Sequence, residues 1–409
     1  MMHPQALQHQ LARLTQLHPG YGALLAEHGV QPLTTAALTE LPLLTAERME
    51  RAYYQQPPPA AAGLTLYRTS GTSSGVSRTI YYSPEDETHY LTAKMASYRT
   101  WLEACPRRFQ VRRAFADVGT GHAASTAQQI FSALGMQTES ISFAEPIEVH
   151  IARLRAYRPE LLYTMPSILE AIARASGDPA SLGLRKIILV GEIAPAAWQT
   201  NMAARFGIGT FDILDTYGSI EVGAIASYSH RHNLYLFAEG IYAETVPAEQ
   251  LDPSFEPLEA GEGVLVLTSL QRSLFPVIRY VTYDVIREFC TVEVDGQPRQ
   301  AFGCVAKRIG SELKHGEKIS LYDIENVVHS LLGDAELRVR VRDNKLTVRI
   351  RSQSLTDERL ESIRHGIEHK IPAIGQMIEG GMLEPIEVIP ASEHEPWEQG
   401  PIKSKKLYR

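Results

Sequence analysis

Residues 69 to 75 read Thr-Ser-Gly-Thr-Ser-Ser-Gly, an unbroken string of hydroxyl residues and glycines, with Val76-Ser77-Arg78 behind it. The run is too poor in apolar atoms to be core. It is also too sharply bounded, directly after Leu64-Thr-Leu66, to be a low-complexity linker. Glycine lets the backbone approach an anion closely, while successive N–H and hydroxyl groups donate to its oxygens. Ser70, Gly71, Thr72, Ser73, Ser74 and Gly75 therefore suit a polyphosphate, with a solvated Ser/Thr/Gly turn as the alternative. Further stretches of interest follow in order: Val190-Gly191-Glu192, Asp215-Thr216-Tyr217-Gly218-Ser219-Ile220-Glu221, Arg279-Tyr-Val-Thr-Tyr-Asp284, and the lysine-rich end Pro401-Ile-Lys-Ser-Lys-Lys-Leu-Tyr-Arg409.

These groups need a frame, and the chain around them alternates short apolar runs with helical stretches. Arg78-Thr-Ile-Tyr-Tyr-Ser83 predicts a strand, and Ser83-Pro-Glu-Asp86 a helix start with proline in its first turn. Val111-Arg-Arg-Ala-Phe-Ala-Asp-Val118 predicts a strand leading into Gly119-Thr-Gly121-His122, and Leu161-Leu-Tyr163 one ending at Met165-Pro166-Ser167. Leu184-Arg-Lys-Ile-Ile-Leu-Val190 is apolar enough for burial on both faces, as parallel strands are. Phe211-Asp-Ile-Leu214 behaves likewise, so the motifs at 191–192 and 215–218 are expected just beyond strand ends. Such alternation implies a mostly parallel α/β sheet with ligands beyond the strands' carboxyl ends.

Residues 1–55 read as helical, with Leu7, Leu11, Leu14 and Leu17 on one stripe and Thr45 as a cap. From Gly261 the pattern turns to β, through Gly263-Val-Leu-Val-Leu-Thr268 and the runs 277–281 and 285–294. Beyond residue 306 a separate lobe is expected. Its clearest part is Leu337-Arg-Val-Arg-Val-Arg342 and Leu346-Thr-Val-Arg-Ile-Arg351, a hairpin with an apolar face and a solvated arginine face. The predicted fold is α/β: a large N-terminal domain, 1–306, with parallel sheets and a β-rich subdomain, then a small α+β domain, 307–409.

Composition narrows the classes. The 409 residues are 44% hydrophobic and 21% charged, enough for a large core and a second domain. A net charge of −7 argues against nucleic-acid binding, which needs a concentrated basic face. Cys105, Cys290 and Cys304 form no CxxC, so neither a disulfide framework nor a zinc site is expected. No stretch reaches the ~18 continuous apolar residues of a membrane span, and no signal pattern opens the chain, so a cytoplasmic location is expected.

In order and spacing these motifs resemble the AMP-forming adenylate-forming ligase superfamily, and within it the phenylacetate–coenzyme A ligase-like branch, along nearly the whole chain. The resemblance implies that 69–75 order around the β- and γ-phosphates of ATP. Arg78 stands near where the family has lysine, although a guanidinium and an ammonium are not interchangeable. It implies Tyr217 as a shelf for adenine, Gly191 and Glu192 as the opposite wall, and Asp215 as acceptor from the adenine amine. Thr216, Gly218 and Ser219 belong to the same nucleotide-binding stretch, and Glu221 is the implied Mg²⁺ ligand. Ile220 replaces the hydroxyl residue usual before that glutamate. Asp284 is the implied acceptor of the ribose hydroxyls, with Tyr283 where the family has glycine. Arg279 and Arg308 are expected near the nucleotide, and Gly310 stands where a hinge acid is usual. Lys406 is the implied catalytic lysine, stabilising charge at the α-phosphate, with Lys403 and Lys405 as rivals. Gly119, Gly121, His122, Pro166, Ser167 and Ile193 fall where the family builds its acyl pocket, His122 being either its gate or a capping histidine.

The implied reaction joins a small-molecule carboxylic acid to AMP at the expense of Mg²⁺-ATP, after which a mobile C-terminal domain rotates and an acceptor takes the acyl group. Coenzyme A leads as acceptor, in an aromatic-acid or specialised biosynthetic pathway. An amine or carrier-protein acceptor stays open, as does a degenerate nucleotide-binding homologue without turnover. The oligomeric state is not specified by the sequence, and a homodimer stays open.

Overall fold

The computed structural model describes residues 4–30, 37–55, 63–68, 78–104, 110–118, 122–310, 319–342, 344–392 and 407–408. No helix among them is long and apolar enough to cross a membrane. Helices α1 (Pro4–Leu17) and α2 (Pro19–Glu27) open the chain, and Leu7, Leu11 and Leu14 are buried as their spacing predicts. The Thr45 hydroxyl accepts from the Arg48 N–H at 3.4 Å and caps α3 (Ala46–Met49). Strands β1 (Thr65–Arg68) and β2 (Thr79–Tyr82) pair antiparallel on either side of the hydroxyl-glycine run. That run, 69–77, lies outside the described residues. Helix α4 (Pro84–Ala104) begins with a reciprocal cap: Ser83 Oγ accepts from the Asp86 N–H at 3.1 Å, and Asp86 Oδ2 from the Ser83 N–H at 3.0 Å. Asp86, Tyr90, Lys94 and Tyr98 recur every fourth residue and form its buried stripe.

Next come β3 (Arg113–Val118), α5 (His122–Ala133), β4 (Gln137–Ser142), α6 (Ile147–Tyr157), β5 (Leu161–Thr164), α7 (Pro166–Ala175), β6 (Lys186–Val190), α8 (Ala196–Phe206) and β7 (Ile213–Ser219). Strands β4, β3, β5 and β6 pair in that order, all parallel, as the alternation predicts. Phe115, Leu162, Ile187 and Leu189 are fully buried against Leu154, Leu169 and Trp198 from the helices. Lys186 is buried at the start of β6, where its ammonium meets Asp212 Oδ1 at 2.6 Å. One expectation needs correcting. Phe211 is half-exposed in a short turn, and the strand starts at Ile213 and continues through Ser219. The 215–219 motif thus lies within β7, where Thr216 and Tyr217 suit a pleated ladder, rather than beyond a strand end. It pairs antiparallel with β8 (Gly223–Ser229).

The turn to β structure comes earlier than Gly261: β9 (Leu234–Phe237) and β10 (Ile241–Val246) precede it, and β11 (Glu262–Ser269), β12 (Tyr280–Arg287), β13 (Cys290–Val294), β14 (Gln297–Phe302) and β15 (Cys304–Arg308) continue it. Two antiparallel ladders form, β8-β9-β14-β13 and β10-β11-β12. The expected run 285–294 is broken at Glu288, whose φ of 57° is left-handed. Cys290 and Cys304 are free thiols.

The C-terminal part holds α9 (Leu321–Leu331), β16 (Glu336–Arg342), β17 (Lys345–Arg351), α10 (Asp357–Lys370), α11 (Pro372–Glu379), β18 (Glu387–Pro390) and β19 (Leu407–Tyr408). The expected hairpin forms, with Val339 opposite Val348, and its apolar face joins Ile324, Val328, Ile363 and Ile367 in one cluster. The arginine face is not wholly solvated. Arg338 is buried, with Glu336 Oε1 3.9 Å away, and Arg351 pairs with the same glutamate at 3.3 Å.

By packing, the chain forms two compact units that do not follow chain order. Met1–Phe109, Gly121–Gly135 and Thr216–Cys304 make the first; Gln110–Thr120, Met136–Asp215 and Val305–Arg409 make the second. Strand β7 changes unit between Asp215 and Thr216.

Candidate active site

In the first unit, β7 and β12 each carry one of the expected site residues, and the two meet. The Tyr217 hydroxyl donates to Asp284 Oδ2 at 2.5 Å. Asp284 is fixed from its own backbone, its N–H donating to Thr282 Oγ1 at 3.1 Å, while that buried threonine donates to the Leu265 carbonyl. Tyr283 stands between them with φ at 62°, where a side chain is strained. Its hydroxyl accepts from the Ala46 N–H at 3.0 Å, a tie that holds the strained turn.

The turn after β7 is equally built. A β-carbon at Gly218 would lie 2.7 Å from the Gly223 carbonyl oxygen, so only glycine lets these strands approach. Ser219 Oγ accepts from the Val222 N–H at 3.2 Å, and the Tyr82 hydroxyl donates to the Ile220 carbonyl at 2.8 Å. The Glu221 carbonyl accepts from Arg272 Nε at 2.9 Å. Arg272 is buried, pairs with Asp86 at 2.8 Å and lies 3.8 Å over the Tyr82 ring. Sequence reasoning missed this arginine post; the only signal for it was an acid, Asp86, in a capping position. Among the described residues no cluster of three His, Cys, Asp or Glu is arranged to hold a metal. A lone Glu221 fits a cation that draws its other ligands from phosphate and water.

Two expected cations are already engaged. The Arg78 guanidinium pairs with Glu50 and lies 4.4 Å over the Tyr54 ring. Arg279 is buried, with Glu244 2.5 Å from its Nη2 and the Thr39 and Leu41 carbonyls accepting from its Nη1. Arg279 therefore ties strands to the N-terminal segment, and we leave it out of the nucleotide site.

His122 opens α5 and sits in a box of three tyrosines. Tyr90 stacks on it at 3.7 Å between ring centres, with Tyr82 at 4.3 Å and Tyr67 at 4.5 Å. Its Nε2 is 2.7 Å from Glu87 Oε2, and the Tyr67 hydroxyl donates to Glu87 Oε1 at 2.7 Å. Burial pushes the Glu87 carboxyl up, but these two donors outweigh it and leave the pKa lowered. Burial lowers the pKa of His122, with Glu87 opposing. Two turns along α4 from Glu87, buried Lys94 donates to the Tyr98 hydroxyl at 3.2 Å, and burial lowers its pKa to about 8. Burial raises the Tyr67 hydroxyl to about 12.

In the second unit, Glu192 accepts from both the Ser167 N–H at 2.8 Å and its hydroxyl at 3.0 Å. The carboxylate after β6 thus caps α7, where Pro166 holds the first position. Gly191 takes φ of 86°, and Ile193 is half-buried beside it. Asp215 is buried, and Gln199 Nε2 lies 3.4 Å from its Oδ2. Arg308 is exposed at the end of β15, and Gly310 has open space where a side chain would stand. Gly119, Gly121, Lys403, Lys405 and Lys406 lie outside the described residues. Among the described residues, Tyr217 is therefore in contact with Asp284 and Ser167 with Glu192.

Comparison with known proteins gives these groups a context. Residues 314–392 match the model of the fumarate–diaminopropanoate ligase C-terminal domain family. A fumarate–(S)-2,3-diaminopropanoate ligase of Enterobacter agglomerans is 36% identical over 370 residues, covering 90% of this chain and 91% of that one. A phenylacetate–coenzyme A ligase of Aromatoleum evansii is 31% identical over 150 residues, 34% of this chain and 32% of that one. Among solved structures, a 2-hydroxyisobutyryl-CoA ligase in the postadenylation state shares the fold with a TM-score of 0.74. It is 16% identical, and the match covers 98% of this chain and 88% of that one.

Proposed function

The chain belongs to the AMP-forming adenylate-forming ligases, and from that premise we propose that it joins a small carboxylic acid to an amine through an acyl-adenylate. The acid we propose is a short dicarboxylate of the fumarate type, and the amine a small diamino acid. Likeness along nine-tenths of the chain to a ligase of fumarate and diaminopropanoate carries this reading. It replaces coenzyme A, the leading acceptor on sequence grounds, because the likeness to a coenzyme A ligase spans only a third of the chain. Thioester formation is the second reading, favoured by that partial likeness.

In the first half-reaction the acid's oxygen attacks the α-phosphate of ATP and pyrophosphate leaves. Tyr217 offers its ring to adenine, and Asp284, held by the Tyr217 hydroxyl, accepts from the ribose. Glu221 would hold Mg²⁺, which neutralises phosphate charge when bound. Its backbone is clamped by Arg272, so its side chain starts from a fixed point. Lys406 supplies the ammonium for the developing charge. The residues beyond 306, with their own apolar cluster, act as the lobe that brings Lys406 in and withdraws it for the second half-reaction.

Acid-dependent exchange of pyrophosphate into ATP tests the first half-reaction, followed by a screen of diaminopropanoate, simple amines and coenzyme A as acceptors. Exchange with fumarate and an amide product are expected. Exchange with a thioester product would favour the second reading, and tight ATP binding without exchange for any acid would leave a binding protein. Glu221→Gln is expected to lower Mg²⁺-dependent exchange by about a hundredfold while changing ATP affinity less.

A further inference from the structure

The tyrosine box holds a polar atom that the nucleotide site does not use. His122 is only 5% exposed, and its Nδ1 is buried without a hydrogen-bond partner among the described residues. A buried atom left unsatisfied is destabilising, so it calls for a donor that arrives from elsewhere. The opposite side of the ring specifies which kind. Glu87 accepts from Tyr67 through one oxygen and faces Nε2 through the other, so Nε2 carries the proton and Nδ1 presents a lone pair. Charges at Lys94 and Arg272 oppose protonation of the ring, as burial does, and together they outweigh the pull of Glu87. The ring is therefore a neutral base, oriented and polarised by a carboxylate, the arrangement that suits proton removal from a nucleophile.

We propose that His122 is the general base of the acyl-transfer half-reaction, taking a proton from the attacking amine at Nδ1, with Glu87 and Tyr67 as positioning residues. The proposal rests on the amine acceptor argued above. In the step, the neutral amine nitrogen attacks the acyl carbon and forms the C–N bond. The bond from that carbon to the adenylate oxygen breaks, and AMP leaves with its electron pair. The proton lost by nitrogen goes to His122 Nδ1, and the imidazolium formed is stabilised by the Glu87 carboxylate. No oxidant or further reactant is needed. A role in adenylation itself is not implied, because the acid reaches the α-phosphate already ionised.

The test uses the full chain with fumarate, Mg²⁺-ATP and 2,3-diaminopropanoate, and reads pyrophosphate exchange and single-turnover amide formation separately. His122→Gln is expected to slow transfer about a hundredfold more than exchange, within the usual range for a lost general base. The acid-side slope of log transfer rate against pH should also fall from about two to about one, because only the amine's own ionisation remains. Glu87→Gln keeps a hydrogen-bond acceptor and removes the charge, and should cost transfer about tenfold with little change in exchange. Equal loss in both half-reactions for both variants, or an unaltered pH slope, would overturn the role of His122 while leaving the amine reading intact. Wild-type exchange without any amide product would overturn the amine acceptor, and His122's role with it.

Discussion

His122 and His150 both lie buried against a carboxylate, yet their second nitrogens favour different charge states, neutral for the first and cationic for the second. His150 Nδ1 is 2.7 Å from Asp117 Oδ2, and its Nε2 is 2.9 Å from the Glu145 carbonyl. Beside two acceptors both nitrogens donate, which favours the imidazolium even though burial also raises the Asp117 carboxyl, with His150 opposing that rise. Burial alone would lower the ring's pKa, but Asp117 and the carbonyl reverse that and leave it raised. His122 has the same kind of carboxylate neighbour and no second acceptor among the described residues, and its pKa is lowered, burial being the largest cause. A carboxylate beside a histidine therefore does not decide whether the ring is a structural cation or a base. The atom facing the other nitrogen decides it.

The comparison can be broken at several points. Asp117→Asn removes the counter-charge of a cation that is fully buried, and should cost about 3–5 kcal/mol in urea unfolding. A loss below about 1 kcal/mol would mean that His150 is neutral after all. Asp284 extends the contrast to a carboxylate held by a tyrosine. Tyr217→Phe keeps the ring face and loses a bond to a charged group, so the KM for ATP should rise about tenfold or more. Discrimination between ATP and 2′-deoxy-ATP should narrow with it. If both stay at wild-type values, the hydroxyl does not position Asp284. Glu87→Gln should cost only about 1–2 kcal/mol of stability, because it leaves a neutral ring with an acceptor.

The smallest effects are in pH dependence, where the two histidines should pull in opposite directions. Through its raised folded pKa, His150 contributes stability in full below about 6.5, and loses it as pH rises through the folded value. His122, lowered, contributes above about 6.5 and loses that contribution as pH falls through its folded value. His150→Gln should therefore flatten the alkaline side of a stability–pH curve, and His122→Gln the acid side. Changes on the same side in both variants would remove the contrast.

Much of the frame was readable from residues. The runs expected as strands at 111–118, 161–163 and 184–190 correspond to the parallel strands 113–118, 161–164 and 186–190, and the alternation of apolar residues with arginine at 337–342 and 346–351 became a hairpin. Of the expected site residues, Tyr217 and Asp284, 67 residues apart, are in hydrogen-bond contact, a juxtaposition their separate motifs allow but do not specify. What escaped was pairing at a distance. Arg279 was expected at the nucleotide, but Glu244 and two N-terminal carbonyls hold its guanidinium, and no local pattern announces such partners. Arg272 carried no motif at all. His122 was visible as a residue, but its meaning depends on Glu87 and three tyrosines that only folding gathers. Strand β7 ran longer than its apolar residues suggested, because a ladder with β8 extends pairing into polar sequence.

Tyr283 pays a conformational cost that glycine at the same turn would avoid, and its hydroxyl is moored to the start of α3. A turn frozen this way has little disorder left to surrender when a ligand engages the neighbouring Asp284. Rigidity is thus installed during folding rather than purchased at each encounter. Replacing Tyr283 with glycine would ease the backbone and, by releasing the mooring, loosen the grip of the carboxylate beside it.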